Sequence, residues 1–296
     1  MAHNQVSVII PTLNDPLIGQ VVAGVRLQLG DAGEIVVVGK DKAGRIPTGD
    51  GIRFLDTGRP VTAPVARNLG IREAAADVLV FIDSDCLPQP GWLSGLLNRL
   101  TAGEEVVIGS VISPTENYWM LAYNISMFHE VMAHTRPGPR RYLPTLNLAI
   151  RREVVTEVGL MDESLPRGQD VEWGIRMALA GYQLTFEPSA AITHYPARTD
   201  PKTVWRFWVR SGRNMSRVRL RYADYYKTPA ILANPTWVRL LSPLVAAYTT
   251  AGIFLCSPQL WRYIHTFPAI YATKIAWCLG AAQRAEGMTR QEEPGG

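Results

Sequence analysis

Four short apolar runs rich in β-branched residues, Val6 to Ile10, Ile35 to Val38, Val78 to Ile82 and Val106 to Ile108, punctuate the first part of the chain. Runs that are apolar throughout, without alternation, predict strands buried on both faces. Between them the spacing changes. Leu17, Val21, Val25 and Leu29 recur at four-residue steps in residues 16–29, and Ala66, Leu69, Gly70 and Ala74 lead through residues 64–76, so both segments predict helices. Strand, helix, strand, helix, strand is the order of an α/β unit with a largely parallel sheet, whose ligands gather at the carboxyl ends of the strands.

Residues 110–145 are less regular, with Pro114, Pro137, Pro139 and Pro144 and a basic patch at Arg136, Arg140 and Arg141. This is either a substrate-facing insertion or a mobile surface loop. Regular patterning resumes with Asn147 to Ile150 as a short strand and Arg152 to Gly159 as a helix ended by glycine. Residues 171–180 predict a helix closed by Gly181, and Tyr182 to Phe186 and Ala190 to Thr193 predict two further strands. The sequence contains no internal repeat or low-complexity tract.

With 296 residues, 47% of them hydrophobic, the chain can bury one large core and carry an appendage. Cys86, Cys256 and Cys278 are too few and too scattered for a disulfide framework or a cysteine zinc site, which fits a reducing, cytosolic setting. Met1 to Asn4 run directly into the first apolar run, so secretion is not expected. The net charge of +4 is divided unevenly. Residues 1–195 carry 16 Lys/Arg against 21 Asp/Glu, and residues 196–296 carry 14 against 5. The basic part calls for an anionic partner, either nucleic acid or a bilayer face.

In that basic part Arg206, Arg210, Arg213 and Arg217 share one helical face, with Val204, Trp205, Phe207 and Trp208 alongside. Arginine beside tryptophan suits a bilayer interface. The plainer alternative packs the aromatics against the catalytic domain and leaves the arginines in water. From Leu240 to Trp261, 22 residues contain no Asp, Glu, Lys or Arg, enough to cross a bilayer of about 30 Å. Pro243, Pro258 and several hydroxyl residues weaken that span, and Lys274 and Arg284 break up the apolar sequence that follows, so a shallow or re-entrant hairpin is expected. Nucleic acid is not expected as a partner, because no recognisable nucleic-acid module accompanies the arginines.

Chemistry concentrates at Asp83-Ser84-Asp85, which ends the Val78 to Ile82 run. Two carboxylates emerging from a buried strand are hard oxygen ligands for Mg²⁺ or Mn²⁺, a metal that neutralises a diphosphate and points to an activated nucleotide. The same triplet, with Pro88 beyond it, would also serve as a simple strand-ending turn. Asp170 precedes the 171–180 helix, where a carboxylate caps orphan backbone N–H groups without any chemistry. His194 follows the last predicted strand and could add a nitrogen to a metal already held by oxygen.

The order of these segments resembles glycosyltransferase family 2, the nucleotide-sugar transferases of GT-A fold. Val8-Ile9-Ile10-Pro11-Thr12-Leu13-Asn14 resembles the family's first strand and donor loop, Ala66-Arg67-Asn68-Leu69-Gly70-Ile71 its helix before the metal motif, and Asp83-Ser84-Asp85 its DxD element. Asn147-Leu148-Ala149-Ile150-Arg151-Arg152 with Val158-Gly159-Leu160-Met161-Asp162-Glu163 resembles the acceptor-side segment, and Gln169-Asp170-Val171-Glu172 the Glu-Asp motif. The likeness runs from about Val6 to His194 and more loosely to about Arg221. It implies a donor pocket of Pro11, Thr12, Asn14, Arg67, Asp83 and Ser84, a divalent metal at Asp83, Asp85 and His194, and Asp170 as general base. Inverting transfer follows, from a nucleotide-sugar, with a UDP-sugar as the first expectation, to a glycan or lipid-linked acceptor in polysaccharide, glycolipid or cell-surface glycan synthesis.

Two positions depart from the family's pattern. Gly39-Lys40 stands where an Asp-Asp pair usually helps hold the nucleobase, with Asp41 one step later, and Gln169 replaces the usual Glu. A GT-A catalytic domain is therefore expected over residues 1–198. A helical, membrane-proximal extension is expected over 199–285 and a disordered tail over 286–296, the protein acting at the cytoplasmic face of a membrane. Nucleotidyl transfer onto a sugar phosphate and a catalytically degenerate membrane scaffold are the rival readings.

Overall fold

A computed structural model describes residues 5–49, 51–227 and 234–289, with side chains to residue 283. Residues 290–296 of the expected tail lie outside the described residues. The chain divides into two compact units, Met1–Ser113 with Glu130–Tyr195, and Pro114–His129 with Pro196–Gly296.

The first unit is built on one nine-stranded sheet. In chain order its elements are β1 (Val6–Leu13), α1 (Ile18–Leu29), β2 (Gly33–Lys40), β3 (Ile52–Asp56), α2 (Ala63–Glu73), β4 (Val78–Ile82), β5 (Cys86–Pro88), α3 (Trp92–Thr101) and β6 (Val106–Ile112). After the helix α4 (Tyr118–Phe128) of the second unit come β7 (Gly138–Pro139), β8 (Asn147–Arg151), α5 (Arg152–Val158), α6 (Gln169–Leu179) and β9 (Leu184–His194). The strand order is β3-β2-β1-β4-β8-β6-β9-β5, with β7 on β9.

The four strands expected from apolar runs all form, and their interiors are fully buried, from Val8, Ile9 and Ile10 on β1 to Val106, Val107 and Ile108 on β6. β3, β2, β1 and β4 are parallel, but β8 runs antiparallel between β4 and β6, so the sheet is mixed where the sequence predicts it largely parallel. The two strands predicted at 182–186 and 190–193 are one strand, β9. Its proline, Pro188, is absorbed by a register shift against β6 between Gly109 and Ser110, where the Ser110 hydroxyl donates to the Pro188 carbonyl at 2.7 Å.

Asn147 is the hub of this region. It is fully buried, accepts from the Trp92 indole N–H at 2.8 Å, and donates to the carbonyls of Ser110 (2.9 Å) and Ala190 (2.8 Å). One side chain thus ties α3, β6 and β9 to β8. Asn147→Ala leaves a buried indole donor and two carbonyls unpaired, so chemical denaturation is expected to show a loss of about 3 kcal/mol.

The second unit is helical. The segment 110–145, read from sequence as an irregular insertion, contributes α4 to it, because the apolar run from Tyr118 to Phe128 is capped at Asn117, whose side chain accepts from the Met120 N–H at 2.9 Å. The remaining elements are α7 (Pro201–Arg221), α8 (Ala223–Tyr226), α9 (Pro235–Cys256), a 3₁₀ stretch (Pro258–Thr266) and α10 (Phe267–Thr289). Asp200 and Asn234 cap α7 and α9, each directly before a proline at the first helical position.

α7 lies against α10 at backbone contact. A Cβ at Gly212 would fall 1.9 Å from the Trp277 carbonyl oxygen, and one at Gly280 1.9 Å from that of Val209. Two aromatics of α7, Phe207 and Trp208, pack inside this unit, while Trp205 is exposed. Phe207 meets Tyr123 edge-on at 5.0 Å, and Trp208 lies under the Lys274 ammonium at 4.9 Å. Lys274 also donates to the Ser126 carbonyl at 3.0 Å. Arg206, Arg210, Arg213 and Arg217 all face solvent. Phe207 and Trp208 therefore meet α4 and α10, where the sequence offered a bilayer interface or, alternatively, the catalytic domain.

Candidate active site

The carboxyl ends of β1 and β4 bring the acidic residues of the first unit together. β4 stops at Ile82 and releases Asp83, Ser84 and Asp85 before β5 begins. β5 pairs antiparallel with β9 so that Cys86 faces His194, and the Tyr195 N–H donates to the Asp85 carbonyl at 2.8 Å. This register carries a histidine from the far end of the unit to the metal motif, with His194 Nε2 3.5 Å from Asp85 Oδ2.

Asp85, Cys86 and His194 present ligand atoms within 4.8 Å of one another. Burial, together with the charges of Asp85 and Asp83, pushes the Cys86 thiol well above its ordinary range. The thiol therefore stays protonated and faces Asp85 Oδ1 at 3.6 Å as a weak donor. The carboxylate and the imidazole are oxygen and nitrogen ligands of the kind that suit Mn²⁺.

Asp83 is engaged differently. Its carboxylate receives the guanidinium of Arg67, a residue of α2 that is almost wholly buried. The expected metal set of Asp83, Asp85 and His194 thus meets as one close pair, Asp85 with His194, and one carboxylate held by arginine. The Arg67 Nε is buried with no hydrogen-bond partner, so the guanidinium has a donor left for a ligand.

Asp170 lies in the first turn of α6. The cap is Gly168, in left-handed conformation at φ 82°, so Asp170 is inside the helix and not the cap considered from sequence. One carboxylate oxygen accepts from the Val171 N–H at 2.9 Å. Burial raises the Asp170 pKa, the positive charge of Arg67 pulls it partly back, and Asp83 raises it a little further. Arg67 is thus the electrostatic link between the metal motif and Asp170.

Asp15 was missed in the sequence reading. Its carboxylate accepts from the Leu17 N–H at 2.8 Å, and its pKa is raised by burial and further by the charges of Asp85 and Asp83. Three carboxylates from two strand ends therefore feel one another, and a cation there would relieve their repulsion. The signal available was an acid directly after the donor loop, Asn14-Asp15-Pro16.

The remaining donor-loop residues divide by role. Thr12 is buried and its hydroxyl has no hydrogen-bond partner. Pro11 and Ser84 sit on the same two strand ends, Pro11 half-buried and Ser84 at the edge of burial. Asn14, at φ 56°, receives the Lys42 N–H on its side chain at 2.8 Å and donates its own N–H to Lys40, so it stitches the loop ends of β1 and β2. Gly39 approaches Thr12 so closely that a Cβ would fall 1.8 Å from the Thr12 carbonyl oxygen. Lys40 is committed to Asp56 at 2.6 Å. Asp41 receives the Ile46 N–H on one oxygen at 2.8 Å and keeps the other buried without a partner. Gln169 likewise keeps its side-chain oxygen buried and unpartnered.

A doubly wound sheet whose ligand side carries a carboxylate motif after the fourth strand, with a helix-borne acid close by, defines a fold of GT-A type. Residues 7–159, just over half of the chain, match the sequence model of glycosyl transferase family 2. The chain belongs to that family. It is 34% identical over 134 residues to the glycosyltransferase AglE of Haloferax volcanii, covering 45% of this chain and 44% of that protein. It is 27% identical over 222 residues to the pre-mycofactocin glycosyltransferase of Mycobacterium tuberculosis, covering 70% of this chain and 45% of that protein. These matches span under half the length of either relative. Among solved structures it is similar to the mannosyltransferase PcManGT of Pyrobaculum calidifontis in complex with GDP-Man and Mn²⁺. The TM-score is 0.63 at 18% identity, covering 95% of this chain and 87% of that one, a likeness of fold.

Proposed function

We propose that this chain transfers a sugar from a nucleotide-sugar donor to an acceptor hydroxyl, with inversion and with a divalent metal. The observation that carries the reading is the convergence of Asp85, His194, Asp83, Arg67 and Asp170 on one side of the sheet, at strand ends and a helix start. The acceptor is a glycan or a lipid-linked glycan, made for a polysaccharide, glycolipid or other cell-surface product.

Asp85 and His194 would hold the metal. When bound, the metal supplies charge stabilisation to the departing diphosphate. The Thr12 hydroxyl and the free Arg67 N–H are groups the donor can satisfy, and each otherwise carries the cost of a buried unpaired polar atom. The buried oxygen of Asp41 is an acceptor for a base N–H, which uracil and guanine both offer, and it stands in for the Asp-Asp pair missing at Gly39-Lys40. UDP-sugars and GDP-sugars are therefore the donors to test, UDP first.

Asp170 takes the proton of the acceptor hydroxyl as that oxygen attacks the anomeric carbon from the side opposite the diphosphate. Its raised pKa makes it a stronger base than a free aspartate. Arg67 holds Asp83 in place and keeps the Asp170 pKa from rising further.

The first unit is proposed as the catalytic unit, and the second as an extension working at the cytoplasmic surface of a membrane. α9 is long and apolar enough to cross a bilayer, with a mean hydropathy of 1.5, and one third of that stretch is buried. Thermal unfolding measured against UDP-sugars and GDP-sugars, with and without Mn²⁺, tests the donor reading. Stabilisation by at least one donor, larger with Mn²⁺, is expected from ligand linkage. No stabilisation by any of them, or pyrophosphate release from a nucleoside triphosphate and a sugar phosphate, would remove it.

A further inference from the structure

We propose that α9 lies in the plane of an anionic bilayer surface, its outward face at headgroup depth, and does not cross the bilayer. This rests on the membrane association proposed above and specifies its surface, geometry and lipid chemistry.

The central observation is a helix whose middle turns outward. Trp237, Leu240, Leu244, Tyr248 and Leu255 form one stripe of α9 and are 50% to 81% exposed. The inward side carries Val238, Ile253 and Phe254 near its two ends, but between them it is small or polar, with Ser242, Ala246 and Thr250 at 5%, 0% and 0% exposure. A helix on a water-facing surface buries its large apolar residues and exposes the polar ones. The reverse arrangement calls for an apolar medium outside, and Trp and Tyr within the stripe suit the boundary between headgroups and chains. The fold supports the inverted face. Pro243 removes the N–H that would bond the Arg239 carbonyl, and the inward Ser242 hydroxyl donates to that carbonyl at 2.8 Å.

Charge decides the kind of surface and the depth. α7 carries seven Lys/Arg and no Asp/Glu, with Arg206, Arg210, Arg213 and Arg217 in an exposed row. α7 is bound to α10 through Gly212 and Gly280, and α10 to α9 through Val238 against Cys278, Ala281 and Ala282, and through Phe254 on Phe267 at 5.9 Å. α10 therefore links α7 to α9. A crossing by α9 would draw the exposed arginine row of α7 toward hydrocarbon, where burying charge is costly. An in-plane α9 puts the leucines in the interface and leaves the arginines to phosphate headgroups.

The test uses the full chain with vesicles of phosphatidylcholine, alone or mixed with phosphatidylglycerol. Stronger sedimentation with the anionic mixture, weakened by salt, is expected. Leu240→Glu with Leu244→Glu, both exposed and outside the core, should bind at least about tenfold more weakly at an unchanged melting temperature. Arg210→Glu with Arg217→Glu should erase the preference for the anionic mixture. Cys256 reports the geometry, since it is exposed at the end of α9 while Cys86 and Cys278 are buried. An impermeant maleimide should label it from outside the vesicles and not from reagent trapped inside. Labelling only from inside would overturn the in-plane geometry while leaving membrane association standing. Wild-type binding by the leucine pair would show that another surface binds, and would overturn the proposal in the same limited way. Retained anionic preference in the arginine pair would overturn the headgroup assignment. No sedimentation of the wild type with either vesicle would remove membrane association itself, and this proposal with it.

Discussion

Replacing Asp170 with asparagine is expected to lower the rate of sugar transfer by about 10²- to 10⁴-fold, the range that general-base catalysis supplies, while Mn²⁺-dependent donor binding stays within a few-fold of wild type. The amide keeps the size of the carboxylate and its acceptor for the Val171 N–H, so α6 should retain its first turn. The same assignment fixes a pH profile. Burial raises the folded-state pKa of Asp170, so its proton is bound at a higher pH than on a free aspartate. The ionised base is therefore lost earlier on acidification, and the acid limb of kcat/KM should lie above the ordinary aspartate range. In Asp170→Asn that limb should vanish. Transfer by the asparagine variant at the wild-type rate would take Asp170 out of the base role.

Removal of the metal is the second large effect. Chelation of divalent ions should abolish turnover, and Mn²⁺ should restore it. Asp85→Ala should resist that rescue, because it removes the carboxylate that lies 3.5 Å from His194. Titration of free Mn²⁺ by its paramagnetic resonance signal, with a nucleoside diphosphate present, separates binding from catalysis. Wild type and Asp170→Asn should take up the ion, and Asp85→Ala and His194→Ala should not. Uptake by Asp85→Ala equal to that of wild type would place the cation elsewhere. Cys86→Ser should matter little, since burial already keeps that thiol protonated.

The sequence was most legible where burial is uniform. Val6 to Ile10 or Val78 to Ile82 can only be strands covered on both faces, and the chemistry at their ends follows from the parallel connections between them. It was least legible where pairing is long-range. Nothing local in the sequence states that β8 runs antiparallel between β4 and β6, or that Cys86 stands opposite His194. The resemblance suggested the histidine; only the register explains its approach to Asp85. Asp15 was overlooked for the same reason, because burial and the charges of Asp85 and Asp83 across the sheet raise its pKa, and only the Leu17 N–H contact is local to it in the chain. Prolines misled twice. Those flanking residues 118–128 disguised a helix, and Pro188 made one strand look like two. In the second unit the composition of α9 was plain, but the direction of its leucines could be read only from the packing of Ser242, Ala246 and Thr250.

The shared position of metal and base can be observed directly by crystallising the protein with Mn²⁺ and a nucleoside diphosphate and recording anomalous scattering at the manganese edge. The account predicts one strong peak between the Asp85 carboxylate and His194 Nε2, with the diphosphate on the side where Arg67 and Asp170 lie. A peak elsewhere on the molecule, with Asp85 and His194 bare and Asp170 facing away from the nucleotide, would contradict it.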